Sequence, residues 1–297
     1  MTAAGTGRDG KSRELPDSLL ALGERLHASQ DVTPDPALFE DAAVFAAERA
    51  RVFARTAIIA EHAARLPADG CYCVLDTGAR SLVLTRESAE RLHALGNICL
   101  HAGYPVCEAE EGSGERLRCP YHDWEYALDG RLVYPALSPE RYDPARLRLK
   151  SYPLAVCRGL ILVDLAGSAP PALERTAALP PWLDGAVVTA RTRLAVERNW
   201  KHLRAILPPV MEPVLGGPPA TPLLSVGALS LFAIGADRAV ILRLIPHSPL
   251  RTDLLLIGLA AGAGNGAAPD KIAEALAAAP VPRLDRRFFE WYWSLIL

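Results

Sequence analysis

Two short stretches bring together the side chains best suited to metal chemistry: Cys99-Leu100-His101 and, after 17 intervening residues, Cys119-Pro120-Tyr121-His122. Each pairs one thiol with one imidazole. Two thiolates can hold one iron of a [2Fe-2S] cluster as ferric. Two neutral imidazoles leave the other iron less electron-rich and raise the reduction potential above that of an all-thiolate cluster, so the imidazole-bound iron takes the electron. Two Cys and two His also compose a tetrahedral zinc site. Zinc modules of that composition pair Cys with Cys and His with His along the chain, whereas here each stretch offers one ligand to each iron, which favours the cluster. Pro120 fixes φ and lacks an N–H, and Asp129-Gly130 is a tight-turn signal, so the second stretch is expected to run into a β-hairpin.

The stretches Asn97-Ile98-Cys99-Leu100-His101-Ala102-Gly103 and Cys119-Pro120-Tyr121-His122-Asp123-Trp124-Glu125-Tyr126 resemble the Rieske domain of the ring-hydroxylating non-haem iron oxygenase alpha subunits. They do not resemble the Rieske protein of respiratory cytochrome complexes. That protein carries an extra, disulfide-bonded Cys in each ligand loop, where this chain has Tyr121 in the second and leaves Cys107 without such a partner. The family usually has Arg at Ala102 and Gly at Asp123, and neither position is a ligand. The resemblance thus implies Cys99, His101, Cys119 and His122 as the ligands of a lower-potential, oxygenase-like cluster.

These ligands must be positioned by small β elements. Helices are expected over 15–30 and 37–55, with Asp35-Pro36 starting the second. Short strands follow at 71–75, 81–85, 93–98, 116–118, 125–127 and 160–163, separated by turn residues. Gly167 to Pro171 reads as a linker and Pro180-Pro181 as a second break. Strands are expected again at 187–194, 223–233, 238–246 and 253–259, and helices at 196–207, 270–279 and 284–297. The resemblance extends from residue 37 onward and implies a curved antiparallel sheet wrapped around a long helix. The expected fold class is α+β, a small β Rieske domain plus a helix-grip-like domain of antiparallel sheet and helix. Its division is 1–54 for the N-terminal helices, 55–166 for the Rieske [2Fe-2S] domain and 167–297 for a degenerate oxygenase catalytic-like domain.

That last domain normally holds a ferrous ion through two His and one carboxylate. In the family a helix beginning Asn-Trp-Lys leads, some ten residues on, to an Asp, three later to a His, and five later to a second His. From Asn199-Trp200-Lys201 this register lands on Pro209, Glu212 and Gly217, none of them a family residue. Pro208, Pro209 and Pro213, with Gly216-Gly217-Pro218-Pro219, also argue against a continuous helix there. Asp285, five residues before Glu290, matches the spacing of the third ligand and is a possible remnant. His202 and His247 are further nitrogens, but the plain readings are a helix-surface His202 and an Asp285 that caps or salt-bridges its helix. Phe288, Phe289, Trp291, Tyr292 and Trp293 read as core and interface rather than substrate pocket.

The expected function is a Rieske-type [2Fe-2S] subunit of a non-haem iron oxygenase system with its mononuclear iron absent, passing electrons to the mononuclear iron of a catalytic partner. The resemblance implies a trimer-based hetero-oligomer fed by a reductase or ferredoxin. The alternatives are a self-contained oxygenase hydroxylating or demethylating a small organic substrate at an altered iron site, and a non-enzymatic redox carrier or sensor. The 297-residue chain is 50% hydrophobic, long enough for two modest cores. A net charge of −2 gives no footprint for nucleic acid. The polar Met1 to Arg13 has no apolar h-region and no apolar run is of membrane-span length, so a cytoplasmic protein is expected. Cys71, Cys73, Cys107 and Cys157 are then reduced packing residues.

Overall fold

The computed structural model describes residues 15–28, 35–136, 142–171, 179–215, 223–262 and 269–297. Three helices come first: α1 (Asp17–His27), α2 (Ala37–Glu40) and α3 (Ala42–Glu48), the last continuing as a π-turn over Arg49–Phe53. The single helix expected over 37–55 is therefore broken at Asp41. That residue is extended, and its carboxylate accepts from Ala43 N at 2.6 Å, so it serves as the N-cap of α3.

Eleven strands follow: β1 (Ala57–His62), β2 (Cys71–Asp76), β3 (Ser81–Ser88), β4 (Arg91–Gly96), β5 (Glu111–Ser113), β6 (Arg116–Arg118), β7 (Glu125–Ala127), β8 (Leu132–Tyr134), β9 (Ser151–Tyr152), β10 (Leu154–Cys157) and β11 (Leu160–Asp164). They pair antiparallel in three sheets, ordered β5-β2-β3-β4-β9, β6-β7-β8 and β1-β11-β10. Next come β12 (Val187–Val196), α4 (Trp200–Val214), β13 (Leu224–Val226), β14 (Ser230–Ile234), β15 (Arg238–Ser248), β16 (Arg251–Ala260), α5 (Pro269–Ala278) and α6 (Arg286–Ile296). Their strands form one antiparallel sheet, β12-β16-β15-β14-β13. The fold is α+β. The strand expected over 223–233 is two, β13 and β14, paired with each other. Among the described residues no helix is long and apolar enough to cross a membrane.

The C-terminal sheet is covered on both faces, which is why β15 and β16 are apolar almost throughout instead of alternating. On one face Leu231, Leu242, Leu244, Leu254 and Leu256 share a core with Leu203, Leu207 and Met211 of α4. On the other, Phe232, Ile241, Leu255 and Ile257 meet Ile59 of β1 and Leu160 and Leu162 of β11. Buried Arg243 reaches across to donate to the Ala60 carbonyl at 2.7 Å.

Helix α4 corrects the expectation of a helix ending at Leu207. It runs to Val214 through Pro208 and Pro209. Each interior proline costs about 3 kcal/mol. The apolar stripe Leu203, Ile206, Leu207, Val210 and Met211 is buried, and each such side chain contributes roughly 1.5–3 kcal/mol. Pro208 and Pro209 lie on the exposed side, away from that stripe.

The start of α4 is held by a buried ion pair. Lys201 Nζ donates to Glu48 at 2.5 Å, and the same carboxylate accepts from Tyr292 Oη at 2.6 Å and Trp200 Nε1 at 3.0 Å. Three distant segments are thereby tied together. Of the C-terminal aromatics, Phe289 and Tyr292 are buried in the main core, and Phe288, Trp291 and Trp293 pack against it. That agrees with a core reading and leaves these rings engaged within the chain.

Candidate metal centre

The two ligand stretches fold into loops with the same hydrogen bonds. In the first, Cys99 N donates to Tyr104 O at 2.7 Å and Gly103 N to Cys99 O at 2.9 Å. In the second, Cys119 N donates to Trp124 O at 2.9 Å and Asp123 N to Cys119 O at 3.0 Å. The fourth residue after each Cys is left-handed, Gly103 at φ 72° and Asp123 at φ 56°. Glycine adopts that conformation freely and Asp at moderate cost, which accounts for the Asp where the family usually has Gly. Replacing Asp123 by Gly is expected to stabilise the protein by about 0.5–1 kcal/mol in urea unfolding, since its ion pair to Arg118 at 3.0 Å is exposed and contributes little. A loss of stability would show that the ion pair outweighs the strain.

The second loop runs into the β7–β8 hairpin as expected, closed by Gly130 N donating to Ala127 O at 2.8 Å. The first loop is clamped by buried Asn97, whose amide donates to Cys107 O at 2.8 Å and whose carbonyl oxygen accepts from Cys107 N at 2.8 Å. The hairpin contributes Trp124, fixed by Nε1 donating to Ala136 O at 3.0 Å. Its ring stacks on His101 with centroids 5.0 Å apart and planes 10° from parallel, so it sets the imidazole's orientation.

The structure brings all four side chains together. Cys99 and Cys119 are buried neighbours within interaction distance and are not disulfide-bonded. The His101 and His122 rings lie 4.6 Å apart. His101 Nδ1 is buried with no hydrogen-bond partner, an orphan that a metal would satisfy. Among the described residues no three His, Cys, Asp or Glu side chains are placed to hold a lone metal ion. Here thiols and rings form two pairs, each drawing one member from each loop, which is the donor set of mixed Cys and His ligation. The donor set therefore fits a [2Fe-2S] cluster.

Tyr126 was not singled out by spacing. Its hydroxyl lies 3.2 Å from Cys99 Sγ and accepts from Leu100 N at 3.0 Å. Burial first, then the Cys99 sulfur, push its phenol well above the usual range, so it stays a proton donor toward that sulfur. Hydrogen bonds to cluster sulfurs raise the potential. Tyr126→Phe is expected to lower the reduction potential by roughly 30–60 mV in a redox titration, the one-electron equivalent of one such bond. An unchanged potential would remove Tyr126 from this role.

Of the residues considered for a second iron, none joins a group of three potential ligands among the described residues. Pro209 lies on the exposed side of α4, Glu212 lies within the same helix, and Gly217 falls outside the described residues. Asp285 is the N-cap of α6, accepting from Phe288 N at 2.9 Å, while Arg286 pairs with Glu290. His247 sits 3.1 Å from Asp253. His202 is not a free surface residue: it stacks on Phe39 at 4.4 Å, and burial, then Lys201, push its pKa down to about 4. Of the other thiols, Cys73 and Cys107 are buried and raised to about 12 by burial, which leaves them inert.

Residues 57–153 match the family model for the Rieske [2Fe-2S] domain, a span that contains all four side chains. The oxygenase subunit of glycine betaine monooxygenase from Chromohalobacter salexigens is 30% identical over 200 residues, 61% of this chain and 45% of that relative. The chain spans about half the length of the curated relatives it matches. Among solved structures, a quaternary ammonium Rieske monooxygenase in complex with gamma-butyrobetaine superposes with TM-score 0.64 at 18% identity, over 82% of this chain and 79% of its own. Naphthalene 1,2-dioxygenase from Rhodococcus sp. gives 0.61 at 18%, over 95% and 86%. At that identity the two structures share the fold. The chain carries a Rieske [2Fe-2S] domain. Over a longer stretch it is similar to the oxygenase and alpha subunits of such enzymes.

Proposed function

We propose that Cys99, His101, Cys119 and His122 hold a [2Fe-2S] cluster in a domain spanning 55–166, and that the chain delivers electrons within a Rieske oxygenase system to the mononuclear iron of a catalytic partner subunit. When bound, such a cluster supplies one-electron carriage at a potential raised by its imidazoles. The chain's residues do the rest. Cys99 and Cys119 are held in the interior by paired loops, while His101 and His122 are only half-buried. Around them stand exposed Leu100, Tyr104 and Tyr121, an apolar rim suited to docking.

The observation that carries the one-way role is the set of side chains on α4 and beyond. By the register counted from Asn199-Trp200-Lys201, Pro209, Glu212 and Gly217 fall where the resemblance implies a bridging Asp and two ligating His. A chain without those groups can pass electrons to a neighbour that has them and cannot use electrons passed to it. This reading implies a hetero-oligomer with an intact paralogue and a reductase or ferredoxin upstream.

A second reading has its own support: the curated relatives are named as oxygenase subunits, which favours a self-contained oxygenase with an altered iron site. In a complex co-purified from the native host, Cys99→Ser in this chain is expected to stop turnover while leaving assembly intact. Turnover at the wild-type rate refutes electron delivery. Turnover by the isolated chain, lost on Asp285→Ala, establishes the second reading instead.

A further inference from the structure

A cavity of about 690 Å³ lies between α4, the β13–β14 hairpin and α6. Its volume is that of a small-molecule site. Apolar groups make most of its wall, among them Leu223, Leu231, Phe288 and Trp291, and its charged lining residues are Arg204 and Arg287, with no carboxylate among the described ones. Arg204 projects from α4 with its guanidinium 4.6 Å from the Trp291 ring. It donates through one terminal nitrogen to Ala228 O at 2.8 Å and through the other to Ser225 Oγ at 3.0 Å. Those contacts fix the plane of the fork and leave its remaining N–H groups without a protein acceptor among the described residues.

Burial pushes the Arg204 pKa down to about 10, and it makes no ion pair among the described residues. Elsewhere in this fold Lys201 pairs with Glu48 and Arg65 with Glu61, while buried Arg243 donates to the Ala60 carbonyl. A half-buried guanidinium without a counter-ion carries a desolvation cost, and an anionic ligand offsets it. Arg287, one turn before Trp291 on α6, adds a second, exposed positive charge at the rim and makes no ion pair among the described residues. A planar guanidinium fork beside an indole matches the two oxygens of a carboxylate, and the apolar wall matches a hydrocarbon body.

We propose that this cavity binds a small organic carboxylate with an aromatic or aliphatic body, its charge held by Arg204 and Arg287 and its body against Trp291, Phe288 and Leu231. The site stands apart from the iron–sulfur residues, and the inference holds whichever reading of electron transfer is correct.

The test uses the full-length protein as purified, with binding read by calorimetry and by tryptophan fluorescence. The probes are benzoate, phenylacetate and hexanoate, their neutral amides, benzyltrimethylammonium and inorganic phosphate. At least one carboxylate is expected to bind saturably, roughly tenfold or more tighter than its amide, as for other charge-assisted pairs. The cation and phosphate are expected not to compete. Arg204→Gln should weaken the carboxylate at least about tenfold. Because Arg204 also braces β13 and β14, Arg287→Glu serves as the second variant: it is exposed, leaves the fold intact and should weaken binding by a similar factor. Equal affinity for acid and amide, tighter binding of phosphate or the cation, or a folded Arg287→Glu protein with unchanged affinity overturns the proposal. So does the absence of saturable binding by all three carboxylates.

Discussion

Cys119→Ser is expected to abolish the visible absorption of the purified protein and its rhombic EPR signal after reduction, and His122→Ala is expected to do the same. Each substitution removes one of only two protein ligands on an iron, and ligand type strictly decides iron binding. Because metal binding is coupled to folding, both variants should also lose protection of the loops around Cys99 and Cys119 in hydrogen exchange. A Cys119→Ser protein with a full-strength signal of mixed Cys and His ligation would sink the assignment.

The second large effect lies far from the metal. Lys201→Met is expected to destabilise the protein by about 3–5 kcal/mol, because it leaves Glu48 buried with only Trp200 Nε1 and Tyr292 Oη as partners. Lys201 is fully enclosed and also sits 5.0–5.4 Å from the rings of Phe39, Trp200 and Tyr292, so no water is at hand to replace it. The double variant Glu48→Leu/Lys201→Met should recover most of the loss, since replacing both ends of a buried pair by apolar groups is often nearly neutral. Urea unfolding monitored by circular dichroism reads both. A single-variant loss below about 1 kcal/mol would show that the pair is not what holds α3, α4 and α6 together.

The candidate metal centre was the most legible part of the sequence, because its chemistry depends on residue types at short spacing. The hairpin at Asp129-Gly130 and the strands over Arg116–Arg118 and Glu125–Ala127 were legible for the same reason, as local turn chemistry sets them. What the sequence hid depends on distant partners. Strand β9 is two residues long and exists because Ser151 and Tyr152 meet Leu95 and Ala94 of β4. No periodicity survives in so short a segment. The continuation of α4 was misread because local proline cost was weighed without the apolar stripe that offsets it. Trp124 and Tyr126 act on the site through stacking and hydrogen bonding, and their positions reveal that only once β7, with Trp124 just before it, is seen to run beside the ligand loops. The cavity around Arg204 was invisible for the same reason: its walls come from three segments spread between residues 204 and 295.

Iron and acid-labile sulfide counted together on the aerobically purified chain test the central claim most directly. The account predicts two irons and two sulfides per chain, the content of one [2Fe-2S] cluster alone. Zinc without sulfide would contradict the cluster, and a third iron lost on Asp285→Ala would contradict the one-way electron role.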